Sequence, residues 1–224
     1  APLVSIMSLV NRPYYRLWVQ PEITRVEELR GKTLGVSRFG SVTDNMTRIL
    51  LRRKNLAGAV NVRQFGGTTE VAAAFLHRQI AGAVISALRV NAPMRMLVDL
   101  AELDFLYSNV VIVVARGYRR RAPETLEAFA RGYLEGVAAA HGDKDRALKV
   151  IQKYTRLKEQ KLIDELYDDA VKFLERVPRV EADAIAPIVE FMGKKPIAVE
   201  TIADNSIVDR LVREGFVDKL YQRR

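Results

Sequence analysis

The chain has 224 residues, 49% of them hydrophobic, with a formal charge of +9 and no cysteine. That length can bury a large core, as one big domain or two lobes of ordinary size. Disulfide frameworks, thiolate nucleophiles and cysteine-type zinc sites are excluded together. No apolar stretch nears the ~20 residues of a membrane-spanning helix; none is longer than Val110 to Ala115, the length of one strand. No charged-then-apolar leader stands at Ala1, which leaves the compartment open.

The positive charge raises nucleic acid as a partner, because clustered Lys and Arg are the footprint of phosphate binding. The densest runs, Arg52-Arg53-Lys54, Arg119-Arg120-Arg121 and Arg223-Arg224, are short, scattered and free of interleaved aromatics for base stacking. They read as solvated faces, and no nucleic-acid partner is expected. The other reading of the charge is a surface that speeds encounter with small anions or acidic membrane surfaces.

Leu3 to Leu9 and Tyr14 to Val19 read as two short strands divided by the turn signal Asn11-Arg12-Pro13. Val26 to Leu29 leads through Arg30-Gly31-Lys32 into a small strand, Thr33 to Ser37. Gly31-Lys32-Thr33 is no phosphate loop, since it precedes the strand and Val26 stands where the first loop glycine belongs. After Gly40, the spacing of Val42, Met46, Ile49 and Leu50 predicts a helix starting near Ser41.

Ser41 and Asp44 have the spacing of a capping box, so Ser41 can simply satisfy the first free N–H groups. The same corner also suits a small anion. Gly40 lets backbone approach a guest, and Ser41 and Thr43 place hydroxyls at the positive end of the helix dipole. The Asp44 carboxylate argues against a highly charged guest.

A second unit repeats this grammar. Val60 to Phe65 alternates as a strand, Gly66-Gly67-Thr68-Thr69 turns, Glu70 to His77 is helical, and Gly82 to Ser86 is a small apolar strand. Strand, helix, strand, helix, strand over residues 33 to 86 predicts a parallel sheet covered on both faces. Ligands collect at the carboxyl ends of such strands. Ser37 to Thr43, Gly66 to Thr69 and Ser86 would converge there, as donors and not as catalysts.

Asn109 to Ala115 is a further strand, and the chain is helical past Pro123. Leu126, Phe129, Ala130, Tyr133, Leu134 and Val137 keep helical spacing until His141-Gly142. Further helices are expected at about Lys144 to Tyr154, Glu159 to Val177, Glu181 to Met192 and Ser206 to Glu214. His77 and His141 lie near helix ends outside any catalytic motif, and the acidic clusters lie on charge-rich helices. No catalytic residue, metal site or cofactor is expected.

The run EELRGKTLGVSRFGSVTDNMTRILLRRKNL, followed by FGGTTEVAAAFLHRQIAGAVIS and APETLEAFARGYLEGVAAA, resembles the NMT1/THI5-like solute-binding proteins of ABC importers for nitrate, sulfonates, taurine and thiamine precursors. The most specific matches are Leu29, Gly31, Lys32, Gly35, Val36, Gly40, Ser41, Asp44, Arg48 and Leu51. The resemblance implies an α/β fold of the type II periplasmic binding proteins: two lobes with parallel-sheet cores and a helical C-terminal half, closing on a solute in a cleft. It implies a complete lobe two at residues 30–108 and a partial lobe one at 1–29 and 109–224. Ligand contacts would come from Ser37, Gly40, Ser41 and Thr43, with Gly67, Thr68 and Ser86 as further transfers.

The implied partners are a small anionic or polar solute and a membrane permease, and the implied location is periplasmic or cell-surface. Departures stand at Arg78, Ala81 and Leu88, where the family often has Gly, Asp and Pro, so solute identity does not transfer. The family also has lobe-one segments ahead of Leu3; the chain is then a piece of a longer protein or a short member, and self-association is expected of an uncovered apolar face. Two other function classes compete. An enzyme of the thiamine-pyrimidine branch would need histidine and cysteine chemistry that this chain lacks, and a basic regulatory or nucleic-acid-binding module rests on charge alone.

Overall fold

Alternation makes Leu3–Val10 a strand, β1, whose even-numbered residues Val4, Ile6, Ser8 and Val10 are all buried. The next strand, β2 (Arg16–Val19), belongs to a different sheet. The turn signal at residues 11–13 is thus a crossing between two units of the chain. In the computed structural model, which describes residues 2–86 and 92–222, one unit comprises 13–105 with 191–194, and the other 1–12, 106–190 and 195–224. Leu88 and the Arg223-Arg224 run lie outside the described residues.

In the 13–105 unit a short 3-10 turn, Val26–Leu29, leads into β3 (Thr33–Val36). Then come α1 (Val42–Arg53), β4 (Asn61–Gln64), α2 (Thr68–Leu76), β5 (Gly82–Ile85) and β6 (Arg95–Asp99). The sheet order is β4-β3-β5-β2-β6. β3 runs parallel to β4 and β5, whereas β2 runs antiparallel to β5 and β6. The parallel core expected over 33 to 86 is therefore extended into a mixed sheet. The compact unit begins at residue 13, ahead of the residue 30 expected for lobe two, because β2 sits inside this sheet between β5 and β6. Val71, Ala74 and Phe75 of α2 pack with Ala83 and Ile85 on one face. Val84 points to the other face and is fully buried, and α1 packs against β3 and β5.

The second unit continues with β7 (Val110–Ala115), antiparallel to β1, then α3 (Arg116–Arg121) and α4 (Pro123–Gly142). Pro123 opens α4, where its missing N–H costs nothing. Leu126, Ala130 and Leu134 pack on Val4, Ile6 and Met7 of β1. The helices α5 (Lys144–Thr155), α6 (Gln160–Phe173), α7 (Ala182–Phe191), α8 (Ser206–Arg213) and α9 (Phe216–Gln222) complete the chain. α6 stops short of the expected Val177 because residues 174–178 extend along β1. There the Glu175 N–H donates to Leu9 O at 2.9 Å and the Ser8 N–H to Pro178 O at 2.9 Å. No helix among the described residues is long and apolar enough to cross a membrane.

Candidate functional site

The corner where β3 becomes α1 is built from hydroxyls. Ser41 is the helix N-cap, and its Oγ accepts the Asp44 N–H at 3.4 Å. The Asp44 carboxylate reaches back to accept the Gly40 N–H at 2.9 Å and is joined by Arg48 Nε at 2.8 Å. Gly40 has φ +79, a left-handed conformation that glycine takes without strain. Ser37 Oγ lies 3.1 Å from Ser41 Oγ and 2.9 Å from Thr43 Oγ1, and the last two are 2.9 Å apart. Three of the expected residues thus close a triangle of hydroxyls at the amino end of a 12-residue helix.

Thr43 is 7% exposed and its Oγ1 also accepts the Ser37 N–H at 3.0 Å. Its hydroxyl holds the corner together. Ser37 is half-buried, and no backbone N–H among the described residues donates to its Oγ. Of the three, Ser37 is the one that can turn toward a guest while the cap stays intact.

The second corner, from β4 to α2, is tied to the first. The Gly66 N–H donates to Ser37 O at 2.7 Å, Arg38 Nε donates to Gly66 O at 3.0 Å, and the Phe39 N–H donates to Gln64 Oε1 at 3.1 Å. Gly67 is the N-cap of α2 and Thr68 its exposed first residue. The Glu70 carboxylate folds over that helix start: a Cβ on Gly67 would stand 2.6 Å from Glu70 Oε2. Both helix starts therefore carry their own carboxylate, which offsets part of each dipole field.

Ser86 follows β5, and its carbonyl accepts Arg16 Nη1 at 3.1 Å, while Arg16 Nε lies 3.8 Å from Asp99 Oδ2. Sequence reasoning missed this Arg16–Asp99 pair. Arg16 opens an apolar strand, and only the pairing of β2 with β5 places it opposite Ile85, beside Ser86. Thr68 and Ser86 share the carboxyl-end edge of β4-β3-β5 with the triangle by topology. No hydrogen bond among the described residues ties either side chain to it.

Two concavities of this unit lie away from the triangle. One is lined by Arg48, Leu51, Arg52, Val60 and Val62, the other by Gln20, Glu22, Lys32, Thr33 and Arg78, at the amino ends of the strands. Arg78 itself has φ +56, the left-handed conformation common just past a helix end; its guanidinium is held by Glu22 and by Gln20 Oε1 at 3.3 Å. No group of three His, Asp or Glu side chains among the described residues could hold a metal ion.

The NMT1/THI5-like family matches residues 1–147 of the chain. The chain belongs to this family. No curated protein matches it. Among solved structures, the periplasmic aliphatic sulphonate binding protein SsuA from Escherichia coli is 17% identical, with a TM-score of 0.68, covering 100% of this chain and 73% of that one. The alkanesulfonate-binding protein SsuA from Xanthomonas axonopodis pv. citri, bound to MOPS, is also 17% identical, with a TM-score of 0.68, covering 91% and 74%. The desulfurization enzyme DszB is 16% identical, with a TM-score of 0.61, covering 95% and 79%. The NMT1/THI5-like chain thus has the α/β fold of the periplasmic binding proteins, a fold that also carries an enzyme.

Proposed function

We propose that this protein is the solute-binding component of an ABC import system, working in the periplasm or at the cell surface and handing its solute to a membrane permease. The reading rests on family membership and on one observation, the Ser37–Ser41–Thr43 hydroxyl triangle at the start of α1. The Ser37 and Ser41 hydroxyls, 3.1 Å apart, can each rotate a proton onto the oxygens of one small guest. Ser37 and Ser41 make the direct contacts, Gly40 gives access, and Thr43 positions Ser37. Gly67, Thr68 and Ser86 supply the rest of the rim.

The carboxylates of Asp44 and Glu70 at the two helix starts favour a polar or singly charged solute over a multiply charged one. On this reading binding occurs without chemistry: the 224 residues contain no thiol, and the carboxylate of the corner, Asp44, is taken up by the Gly40 N–H and Arg48 Nε. The fold shared with DszB supports the second reading, an enzyme acting on sulfur compounds.

Native mass spectrometry of gently purified protein, followed by calorimetric titration with alkanesulfonates, taurine and nitrate, tests the proposal. A solute bound one to one and recovered unchanged is the expected result. Failure of folded protein to bind any of these probes, with no co-purified molecule, overturns it, and a converted product replaces it with the enzyme.

A further inference from the structure

Part of the chain's positive charge is gathered on a stretch that no run of consecutive residues reveals. From Lys144 to Lys161 there are seven Lys or Arg and two Asp or Glu, a net +5 out of the whole chain's +9. The stretch comprises α5, the turn after it and the first turn of α6. α5 has no buried residue. No ion pair among the described residues engages Lys149, Lys153, Arg156, Lys158 or Lys161.

Beside these cations runs an apolar strip. Val150 is 47% exposed and Tyr154, one turn further on, is 77% exposed. Lys149 and Lys153 have the same spacing on the adjoining strip, and the Lys153 ammonium lies 5.6 Å from the Tyr154 ring centre. Leu157 follows, half-buried, just past Arg156, whose φ of +59 ends the helix. The acidic residues Asp164, Glu165 and Asp168 come only later, along α6.

We propose that α5 and the turn after it form a docking surface for an anionic lipid bilayer. The cations meet lipid phosphates, while Val150 and Tyr154 enter the headgroup layer. Charge complementarity chooses the partner class, since basic clusters are drawn to negative membrane surfaces within a Debye length. The strip of Val150 and Tyr154 favours lipid over nucleic acid, because an amphipathic basic helix with an exposed aromatic matches the bilayer interface. A nucleic-acid groove would instead offer successive stacking rings. The inference does not depend on the solute site, which lies in the other unit.

The test is co-sedimentation of the protein with phosphatidylcholine vesicles, with and without phosphatidylglycerol, at low and high salt. The expected result is binding only to the anionic vesicles, weakened by salt. Lys149→Ala, Lys153→Ala and Arg156→Ala together should weaken it on the order of a hundredfold, about fivefold per cation. Tyr154→Ala should weaken it severalfold more than a Lys172→Ala control on α6. Circular dichroism and solute titration should match wild type for every variant. No binding, equal binding to both vesicles, or binding that the triple variant retains overturns the proposal. So does a Tyr154→Ala variant indistinguishable from the control, and so does binding to duplex DNA with none to vesicles.

Discussion

The backbone N–H of Ser37, at the end of β3, donates to the Thr43 hydroxyl at 3.0 Å, inside the first turn of α1. Strand end and helix start are thereby clamped by the residue that sequence reasoning picks as a ligand contact. Thr43→Ala strips that N–H of its partner in a nearly buried place, so stability should fall by about 1–3 kcal/mol before any solute is added. Ser37→Ala removes a hydroxyl that takes no backbone N–H and should cost under about 1 kcal/mol, while weakening solute binding about tenfold. Denaturant titration without solute and calorimetry with it separate the two. Unchanged affinity in Ser37→Ala would reduce the triangle to a well-made helix start.

The two sheet neighbours at Gly82 set a steric test. A Cβ there would stand 2.3 Å from the Trp18 carbonyl oxygen and 2.9 Å from Val19 Cγ1. Backbone cannot swing aside as a flexible side chain does, so Gly82→Ala should cost about 3 kcal/mol or more. Gly132, in α4, would meet nothing within 4 Å. Gly132→Ala should instead stabilise by about 0.5–1 kcal/mol through helix propensity. Melting temperatures of the two variants should move in opposite directions.

How much of this was legible in the sequence depends on the range of the interaction. The β3-α1-β4-α2-β5 order was legible because each step has a local signal: alternation, a glycine turn, helical spacing after a cap. The hydroxyl triangle was half legible, since Ser41 and Thr43 lie within one turn, but the Ser37 hydrogen bonds need the corner's fold. β6 was invisible: Arg95-Met96-Leu97-Val98 does not alternate, and its strand state comes from pairing with β2. The short helix α3 was missed because Arg116–Arg121 has no apolar period, and α9 because it follows Gly215, which reads as a stop. Counting consecutive charges also hid the basic face of α5, whose lysines recur at helical spacing.

The link between α4 and the C-terminal helices predicts an acid response. Glu127 accepts Arg131 Nε at 3.0 Å and Nη2 at 2.8 Å and also meets Arg210, while Arg131 Nη2 reaches Glu214 at 2.7 Å. The hydrogen bonds from Arg131 hold the Glu127 carboxyl below the ordinary glutamate value of 4.5, against the opposing effect of burial. A carboxyl lowered in the folded state binds fewer protons there than in the unfolded chain. Its stabilisation is therefore complete above 4.5 and is lost as pH falls through the lower folded value. The stability gap between wild type and Glu127→Gln should be full near about pH 6 and close progressively in acid. A gap constant across that range would show that the network contributes no titrating stabilisation.

β7 sets the last test. Its one strand partner among the described residues is β1, whose other side is occupied by residues 174–178 and 202–204. The outer edge of β7 is made of Val110, Val111, Ile112, Val113 and Val114, β-branched throughout, with Val110 and Val113 exposed. Open, uncharged edges of this composition pair with other chains. A protein of this length should accordingly self-associate as concentration rises, and Val113→Lys should oppose it, because the ammonium tolerates water but not a packed second strand. Sedimentation velocity over a concentration series, for wild type and Val113→Lys, decides the matter. Association in wild type that the lysine suppresses places the contact on β7. A wild-type protein that stays monomeric, or association that the lysine leaves intact, shows that this edge does not drive it.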